Sequence, residues 1–360
     1  MNKIKIAHIT SVHPFNDTRI FLKECKSLSK KYEVHLINKD FDGNKDNIVF
    51  IKARFLKKRF FRIISSWLIG LWYTIGKGYK IIHFHDPELI FAVPFWRLAG
   101  IKVIYDVHEN YSKQLETKKY IPIFFKPLIL FFIVTLEQFF SSLTSKLIIV
   151  HKDLNSRLNS LNKHTIISNA PLLNYTFEYK ERRREFCYVG LISEERGLLN
   201  IANSLNKLGV KFVIAGNFAN KDIKNKLLGL KNVEYLGYLN QEEKIQLISN
   251  SICACCTFLP IEHHKISNPN KIYEYLNYGT PVICSNFDSY KELIPSTKEF
   301  IYYCDIVNED EVIKKIKDII SLDQEKINIY GKQGHQFIQQ KYNWELEEKK
   351  LFKLYEDLIN

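Results

Sequence analysis

The chain has 360 residues, of which 46% are hydrophobic and 25% charged, so its composition excludes a disordered protein and suffices for two domains. Its formal net charge of +13 predicts an anionic partner: nucleic acid, an acidic membrane surface or a phosphate-bearing substrate. No zinc-finger spacing, helix-turn-helix or aromatic RNA-binding motif accompanies the charge, so we expect no nucleic-acid partner.

The first half of the chain alternates short apolar strands with helical stretches. Strands are predicted at residues 5–10, 33–38, 81–85, 102–106 and 147–150, with helices near 19–30 and 88–98. A polar loop, Ser11 to Thr18, follows the first strand. This alternation is typical of a parallel, doubly wound sheet.

Two segments of the first half bear on membrane contact. Residues 51–80 contain eight basic and no acidic residues, interleaved with large apolar ones such as Phe60 and Trp67. This composition suits an anionic lipid surface, and it also suits a solvated basic helix that packs by its apolar side. The most apolar run, residues 127–136, is shorter than the ~20 residues of a spanning helix. It is either a buried helix or one lying in the membrane interface.

The second half repeats the same architecture after a break at Asn169-Ala170-Pro171. The charged run 180–185 is interpreted as a linker or domain edge, and strands are predicted at 186–189, 211–215, 233–236, 252–257, 282–284 and 300–303. We therefore predict an α/β chain of two tandem Rossmann-like domains, residues 1–172 and 173–344, facing a cleft. Ligands of such sheets bind beyond the carboxyl ends of the strands.

Seven cysteines, an odd number at scattered spacing, predict a reduced compartment, as does a start, Met1-Asn2-Lys3, that runs straight into a strand. Cys253, Cys255 and Cys256 lie in an apolar strand pattern without a second pair at zinc spacing, so we expect buried cysteines rather than metal ligands. A cytoplasmic protein is expected.

The motif that carries most chemistry is Asn268-Pro269-Asn270-Lys271-Ile272-Tyr273-Glu274. Pro269 favours a helix start, which puts Lys271 in the first turn, where the helix dipole disfavours a cation. A bound diphosphate would resolve that conflict. Glu274 shares a helix face with Lys271 and suits a ribose hydroxyl. An ordinary surface Lys–Glu pair is the open alternative.

A second motif runs from Tyr188 to Gly197. It consists of a strand, a turn at Gly190 and a basic residue, Arg196, at a helix start, where it would be a second phosphate contact. The tight turn Gly279-Thr280-Pro281 follows the first motif.

Together these motifs resemble the retaining glycosyltransferases of family 4, of GT-B architecture, in the branch that builds cell-surface polysaccharides. The shared patterns are strand–Gly–basic–Gly, Pro-x-Lys-x-x-Glu and Gly-x-Pro-Val-Ile. Residues 9–19, 85–89 and 105–109 also resemble that branch. The tail from Trp344 resembles the closing helix of the family, so residues 345–360 are expected to pack back on the first domain.

The resemblance implies roles for individual residues. Arg196 and Lys271 would hold the donor diphosphate, and His108 would position the sugar near the reacting carbon, which makes these three the catalytic set. Glu274 would bind the ribose, and the loop of His13 would lie close to the phosphates or the acceptor. The donor-binding set is then His13, Gly190, Arg196, Asn270, Lys271 and Glu274.

The chain departs from the family pattern at Ile266. The family often has a glutamate there, eight positions before Glu274, and it contacts a hydroxyl of the donor sugar. Glu262, His263 and His264 lie nearby in the sequence but not in register.

We predict no metal and no cofactor. His83 and His85 share a strand face and could form a metal pair, but strand-end residues lining a cleft are the preferred interpretation. Asp40-Phe41-Asp42 resembles the metal site of the other glycosyltransferase architecture, GT-A, and is interpreted as a solvated turn. Loss of transfer with EDTA, restored by Mn²⁺, would contradict this prediction.

The predicted function is retaining transfer of a sugar from a nucleoside-diphosphate sugar to a lipid-linked glycan. The expected location is peripheral, at the inner face of the plasma membrane. Two alternatives remain open: a nucleotide-sugar epimerase of the same architecture, and a non-catalytic protein that binds nucleotide sugars or membranes, which the missing acid at Ile266 favours. The sequence leaves the donor nucleotide, the sugar and the linkage open.

Overall fold

The computed structural model describes residues 3–56, 58–107, 126–150 and 163–360. The chain divides into two compact units, and each unit contains one sheet. Unit 1 comprises Met1–Asn169 together with Trp344–Asn360, and unit 2 comprises Ala170–Asn343. Unit 1 is therefore completed by a segment that follows unit 2 in the sequence.

An eight-stranded sheet forms the centre of the described part of unit 1. Its strands are β1 Lys5–Ile9, β2 Glu33–Asn38, β3 Gly43–Lys45, β4 Ile48–Lys52, β5 Ile81–Phe84, β6 Lys102–Val107, β7 Lys146–Ile149 and β8 His164–Ile166. Their spatial order is β3-β4-β2-β1-β5-β6-β7-β8, with β3 antiparallel to β4 and the other neighbours parallel. The winding direction changes between β1 and β5.

Helices connect these strands. They are the π-helix Thr18–Cys25, α1 Lys26–Ser29, α2 Arg59–Thr74, the 3-10 helix Pro87–Ala92, α3 Val93–Leu98 and α4 Lys126–Leu143. The predicted helix at 19–30 thus begins as a π-helix, in which Leu22 N donates to Asp17 O at 3.3 Å. Such helices are rare in proteins.

Unit 2 has a six-stranded parallel sheet in its described residues. Its strands are β9 Arg183–Val189, β10 Lys211–Ala215, β11 Val233–Tyr235, β12 Ser251–Cys256, β13 Val282–Ser285 and β14 Ile301–Cys304. Their spatial order is β11-β10-β9-β12-β13-β14, the doubly wound order in which the winding reverses between β9 and β12. The predicted α/β class with Rossmann-like parallel sheets is confirmed.

The helices of unit 2 alternate with its strands. They are the 3-10 helix Glu194–Arg196, α5 Leu198–Lys207, α6 Lys221–Leu228, α7 Gln241–Asn250, α8 Glu262–Lys265, α9 Asn270–Asn277, α10 Asp288–Leu293, α11 Glu309–Ile320 and α12 Gln324–Lys341. The helix α13, Trp344–Ile359, belongs to unit 1, where Trp344 Nε1 donates to Ser27 Oγ at 2.9 Å and Tyr355 is fully buried.

The interpretation of residues 180–185 as a linker or domain edge is wrong, because they lie inside unit 2, which begins at Ala170. Arg183 already begins β9, and the side chain of Arg182 is buried and donates to Gly279 O at 2.8 Å. Charged residues fit a strand end because Lys211 of the neighbouring strand lies 3.6 Å from the Glu185 carboxylate. The buried strand cysteines are confirmed: all seven are buried and free.

The apolar run 127–136 is part of α4, and it is not a buried helix. Leu128, Phe131 and Phe132 are each more than half exposed. Within the described ranges, no helix combines the length and the apolarity needed to cross a membrane.

Candidate active site

The point where the winding of unit 2 reverses is bounded by the ends of β9 and β12. Gly190 follows β9, and Thr257 follows β12. In a doubly wound parallel sheet this is the position at which a ligand binds. Residues that reach the ends of these two strands are therefore the candidates for donor contacts.

Lys271 reaches the end of β9 from the helix α9. Pro269 is the N-cap of that helix, so Lys271 lies in its first turn as predicted. The Lys271 ammonium donates to Val189 O and lies 5.0 Å from the centroid of the Tyr188 ring. Burial lowers the pKa of this ammonium below the ordinary value of a lysine, and the Glu274 carboxylate partly offsets the effect. The group is therefore a cation held in an environment that favours an added anion.

Gly190 provides the space that the lysine occupies. Its φ of 143° is a conformation that other residues rarely adopt, and an added Cβ would lie 2.9 Å from Lys271 Cε and closer still to Nζ. A side chain at this position would displace the ammonium from the strand end. Glycine is required here for both reasons.

Arg196 supplies the second cation near this strand end. It ends the 3-10 helix Glu194–Arg196, and its backbone oxygen accepts a hydrogen bond from Thr257 Oγ1 at 3.1 Å. Its guanidinium lies 4.5 Å from the centroid of the Phe258 ring. The loops after β9 and β12 are thus joined at this point, and Phe258 orients the arginine, a contact that the sequence motifs did not indicate.

Glu274 lies one turn after Lys271, but it forms its hydrogen bond with another lysine. Lys244 Nζ of α7 lies 2.6 Å from Glu274 Oε1, and both side chains are partly exposed. The carboxylate also contributes to the electrostatics of Lys271. The helix-face pairing predicted from the spacing is therefore a three-residue group that includes Lys244, which sequence reasoning missed because it is distant in the chain.

The charge of the site is unbalanced. Across the described residues, Lys271 and Arg196 form no ion pair with a carboxylate, whereas Glu274 is paired with Lys244. Asn270 is exposed at the first position of α9, beside Lys271. Two cations without acidic partners, at the switch point of a parallel sheet, are suited to bind a diphosphate.

The position of the missing glutamate is occupied by an apolar residue, Ile266. Ile266 is the C-cap of α8, and Glu262 is 89% exposed and paired with Lys265 at 2.8 Å. His264 packs edge-on against Phe258, with ring centroids 4.6 Å apart. Glu195 Oε2 lies 3.9 Å from His264 Nε2, so a carboxylate from the loop after β9 lies next to this segment.

The switch point of unit 1 has a different chemistry. His13, in the loop after β1, lies with Nδ1 3.1 Å from Asp86 Oδ1, and Asp86 also accepts hydrogen bonds from Thr10 Oγ1 and Ser11 N, both at 2.7 Å. Burial alone would raise the pKa of Asp86, but these partners lower it to about 2. The His13 pKa is raised, because its contact with Asp86 outweighs burial.

Two histidine predictions have different outcomes. His108, placed in the catalytic set, lies outside the described residues. The interpretation of His83 and His85 as residues lining a cleft is wrong, because both side chains are buried, with 0% and 1% exposure. Helices cover this part of the sheet, and the two rings pack against each other with centroids 4.6 Å apart.

Comparison with known proteins agrees with this geometry. Residues 176–344, almost all within unit 2, match the family of glycosyl transferases group 1. A search of curated protein sequences finds no match. Solved structures, by contrast, are similar over nearly the whole chain.

Three of these structures illustrate the likeness. The sucrose-phosphate synthase from Thermosynechococcus elongatus has a TM-score of 0.74 and 13% identity, with 99% of each chain covered. A glycosyltransferase from Rickettsia africae ESF-5 has a TM-score of 0.72 and 14% identity, with 100% of each chain covered. The E. coli trehalose-6-phosphate structure bound with UDP-2-fluoro glucose has a TM-score of 0.68, 10% identity and 98% coverage of each chain.

The fold and the matched domain define the class of protein. The chain is a glycosyltransferase of GT-B architecture. The residues that match the glycosyl transferases group 1 family, 176–344, contain both Lys271 and Arg196. The prediction of a glycosyltransferase is thereby confirmed.

Proposed function

We propose that the chain is a retaining glycosyltransferase of family 4 that moves a sugar from a nucleoside-diphosphate sugar to a lipid-linked glycan in cell-surface polysaccharide synthesis. The observation that carries the proposal is the pair of cations, Lys271 and Arg196, at the switch point of unit 2, which form no ion pair with any carboxylate of the described residues. The E. coli neighbour binds a UDP-sugar analogue in the same overall fold, which supports this donor class.

The two cations act on the leaving group. Breaking the bond between sugar and diphosphate leaves negative charge on the phosphate oxygens, and preorganised cations stabilise that charge more than they stabilise the intact donor. Gly190 keeps the strand end open to the phosphates. Because the cations supply the positive charge, the transfer needs no divalent metal and no cofactor.

The remaining roles follow the family resemblance. Glu274 binds the ribose, Asn270 lies beside the phosphates, and His108 positions the sugar. The loop of His13 lies near the phosphates or the acceptor. The acceptor hydroxyl attacks from the face that the diphosphate leaves, and a phosphate oxygen accepts its proton, so the configuration at the reacting carbon is retained.

An exposed apolar face of unit 1 supports the lipid-linked acceptor. On α2, Phe61, Ile64, Leu68 and Trp72 are each more than half exposed, with Trp72 at 79%. Soluble monomers rarely expose so many large apolar side chains together unless they bind a partner or a membrane.

The helix α4 carries a second group of exposed apolar residues in unit 1. Phe91, in the 3-10 helix that α2 contacts, packs edge-on against Phe140 of α4 with ring centroids 5.1 Å apart. On α4 itself, the exposed large residues are Leu128, Phe131, Phe132, Leu136 and Phe139. Both helices therefore pack on the same 3-10 helix, and each exposes large apolar side chains.

The basic residues around this face differ in availability. Lys58, Lys77 and Lys80 are exposed, whereas Arg62 donates to Glu88 Oε1 at 2.6 Å and is only 20% exposed. A groove of about 610 Å³, lined by Leu68, Leu71, Trp72, Tyr73, Ile75 and Lys77, adjoins them. We propose that this face lies on an anionic membrane at the cytoplasmic side, with Arg62 serving an internal contact instead.

A thermal-shift screen against UDP, GDP and their sugars tests the donor class. A ligand at 100 times its Kd stabilises the folded chain by about 2.7 kcal/mol, so a bound donor should raise the Tm measurably. The stabilising donor is then assayed for transfer to lipid-linked acceptors. Donor turnover without acceptor would indicate an epimerase, and binding without any turnover would indicate a non-catalytic protein.

Vesicle flotation tests the membrane proposal. Wild type should float with anionic vesicles and less with zwitterionic ones, and Leu68→Ser/Trp72→Ser should remain in solution. Tyr238→Ser in unit 2, which changes an 81% exposed residue, is the matched control and should float like wild type. Equal flotation of the double variant would favour a solvated basic helix with no lipid role.

A further inference from the structure

Three histidines and one glutamate form a buried cluster in unit 1. His8 belongs to β1, His83 to β5, and His85 follows β5, while Glu24 lies in the π-helix Thr18–Cys25. All four side chains are at most 1% exposed. Each offers one possible ligand atom, and the four atoms lie within 4.8 Å of one another.

Three of these atoms are spaced like the ligands of a metal ion. His8 Nδ1 lies 3.1 Å from His85 Nε2, and both atoms lie 3.9 Å from Glu24 Oε2. Three points with these separations lie on a circle of radius about 2.1 Å, which equals the bond length of Zn²⁺ to an imidazole nitrogen or a carboxylate oxygen. One position is therefore equidistant from all three at a suitable bond length.

Buried side-chain atoms of the glutamate and of one histidine have no hydrogen-bond partner among the described residues. Neither carboxylate oxygen of Glu24 accepts one from the described residues; Arg19 Nε lies 3.0 Å from Oε1 but donates to Asp106. His83 Nε2 is likewise buried without a hydrogen-bond partner in the described chain. Buried polar groups left in this state are destabilising unless a ligand satisfies them.

Oxygen atoms orient the other nitrogens of the three rings. Tyr355 Oη lies 3.1 Å from His8 Nε2 and 3.0 Å from His83 Nδ1, and Asp106 Oδ2 lies 3.4 Å from His85 Nδ1. Histidines that bind metals usually have such a partner on the second nitrogen, which fixes the ring and its tautomer.

We propose that His8, Glu24, His83 and His85 form a closed four-ligand site for a divalent transition metal, of which Zn²⁺ fits the ligand set. Imidazole and carboxylate ligands suit this class of ion, and four protein ligands without an open position are typical of a structural site. Tetrahedral coordination requires the farthest ligand pair to approach by about 1.4 Å. The prediction from the sequence that no metal is bound then applies to the donor site alone.

The proposed metal site would connect the two ends of the loop that carries His13. His8 precedes the loop Ser11–Asp17, and Glu24 follows it, so a shared ion fixes both ends of the segment that carries His13. The π-helix that positions Glu24 is a rare form that occurs frequently at functional sites. The metal would thus order the loop without touching a substrate.

Metal analysis of the full chain, purified without a histidine tag, tests the proposal. Wild type should contain about one zinc per chain, and Glu24→Gln and His83→Gln should each retain less than about one fifth of that amount. His35→Gln is the matched control, because His35 is a buried histidine of the same sheet that bonds Tyr79 instead, and it should keep its zinc. Tyr355→Phe, which leaves all four ligands, should weaken zinc affinity roughly 10- to 100-fold.

A second measurement decides the matter if the ligand variants do not fold. Wild type stripped with a chelator should bind one Co²⁺ and show the visible absorption of a four-coordinate ion, and zinc should displace it. Folded wild type that contains no zinc and binds neither ion would overturn the proposal. The cluster would then be a buried polar network without a metal.

Discussion

The two units share a doubly wound sheet but differ in their chemistry at the point where the winding reverses. In unit 2, the Lys271 ammonium lies at the end of β9 and forms no ion pair with a carboxylate of the described residues. In unit 1, the Asp86 carboxylate lies at the corresponding place and is saturated by Thr10, Ser11 and His13. The first arrangement offers cations to a diphosphate, whereas the carboxylate of the second is already occupied by its own hydrogen bonds. The fold therefore provides two equivalent positions, and the side chains decide which one receives the anion.

The substitution with the largest expected effect on this difference is Lys271→Ala. We expect donor affinity to fall about 100-fold, or about 2.7 kcal/mol, because the substitution removes the cation at the strand end. Isothermal titration with the donor found in the thermal screen measures it. Lys226→Ala, which breaks a surface pair with Asp222, should bind like wild type. Unchanged affinity in Lys271→Ala would remove the basis for placing the diphosphate in unit 2.

Gly190→Ala tests the space at the same strand end. The new methyl group collides with the Lys271 side chain, so donor affinity should fall about 30-fold, and backbone strain should destabilise the chain by about 1–3 kcal/mol. Gly209→Ala is the control, since Gly209 also has a positive φ but nothing within 4 Å of an added Cβ. It should lose stability and keep its affinity.

A double variant sharpens this test. In a Lys271→Ala background, Gly190→Ala should reduce donor affinity little further, because the collision it causes is with the removed side chain. Fully additive losses would mean that the glycine acts on the donor independently of the lysine.

Glu274→Gln separates a donor contact from a structural ion pair. If Glu274 binds the ribose, the donor KM should rise about tenfold with little change in kcat. Lys244→Met removes the partner of Glu274 and leaves its carboxylate available. A KM that stays at the wild-type value in Glu274→Gln, with equal Tm losses in the two variants, would assign the glutamate to stability alone.

The pH dependence of donor affinity gives the smallest expected effect. Only the protonated amine of Lys271 is a cation, so affinity is highest below its pKa and falls as the pH rises through it. Since burial lowers that pKa, the loss of affinity should begin at a lower pH than it would for an exposed lysine. In Lys271→Arg, which stays charged, the profile should be flat. Parallel profiles would contradict the assignment.

Local patterns in the sequence predicted most of the framework. Strands such as β2 and β10 were predicted at their observed bounds, because a strand buried on both faces is a short apolar run between polar turns. The helix start at Pro269, with Lys271 in its first turn, followed from proline geometry. These features depend on neighbours in the chain.

Features that depend on distant neighbours were not predictable. The pairing of Glu274 with Lys244 joins two helices through residues that are 30 positions apart in the sequence. The spacing of His83 and His85 indicates a shared face, but it does not reveal that His8 and Glu24 close over that face. The π-helix that brings Glu24 there has no sequence signature that distinguishes it from an α-helix.

The return of α13 to unit 1 has a consequence for synthesis of the chain on the ribosome. Tyr355, which contacts both His8 and His83, is made after all of unit 2. At 5–20 residues per second, the roughly 190 residues after Asn169 delay completion of unit 1 by about 10–40 seconds. During that time unit 2 can fold first. The strand β1 leaves the ribosome at the start of synthesis, but its contacts with α13 form only at the end.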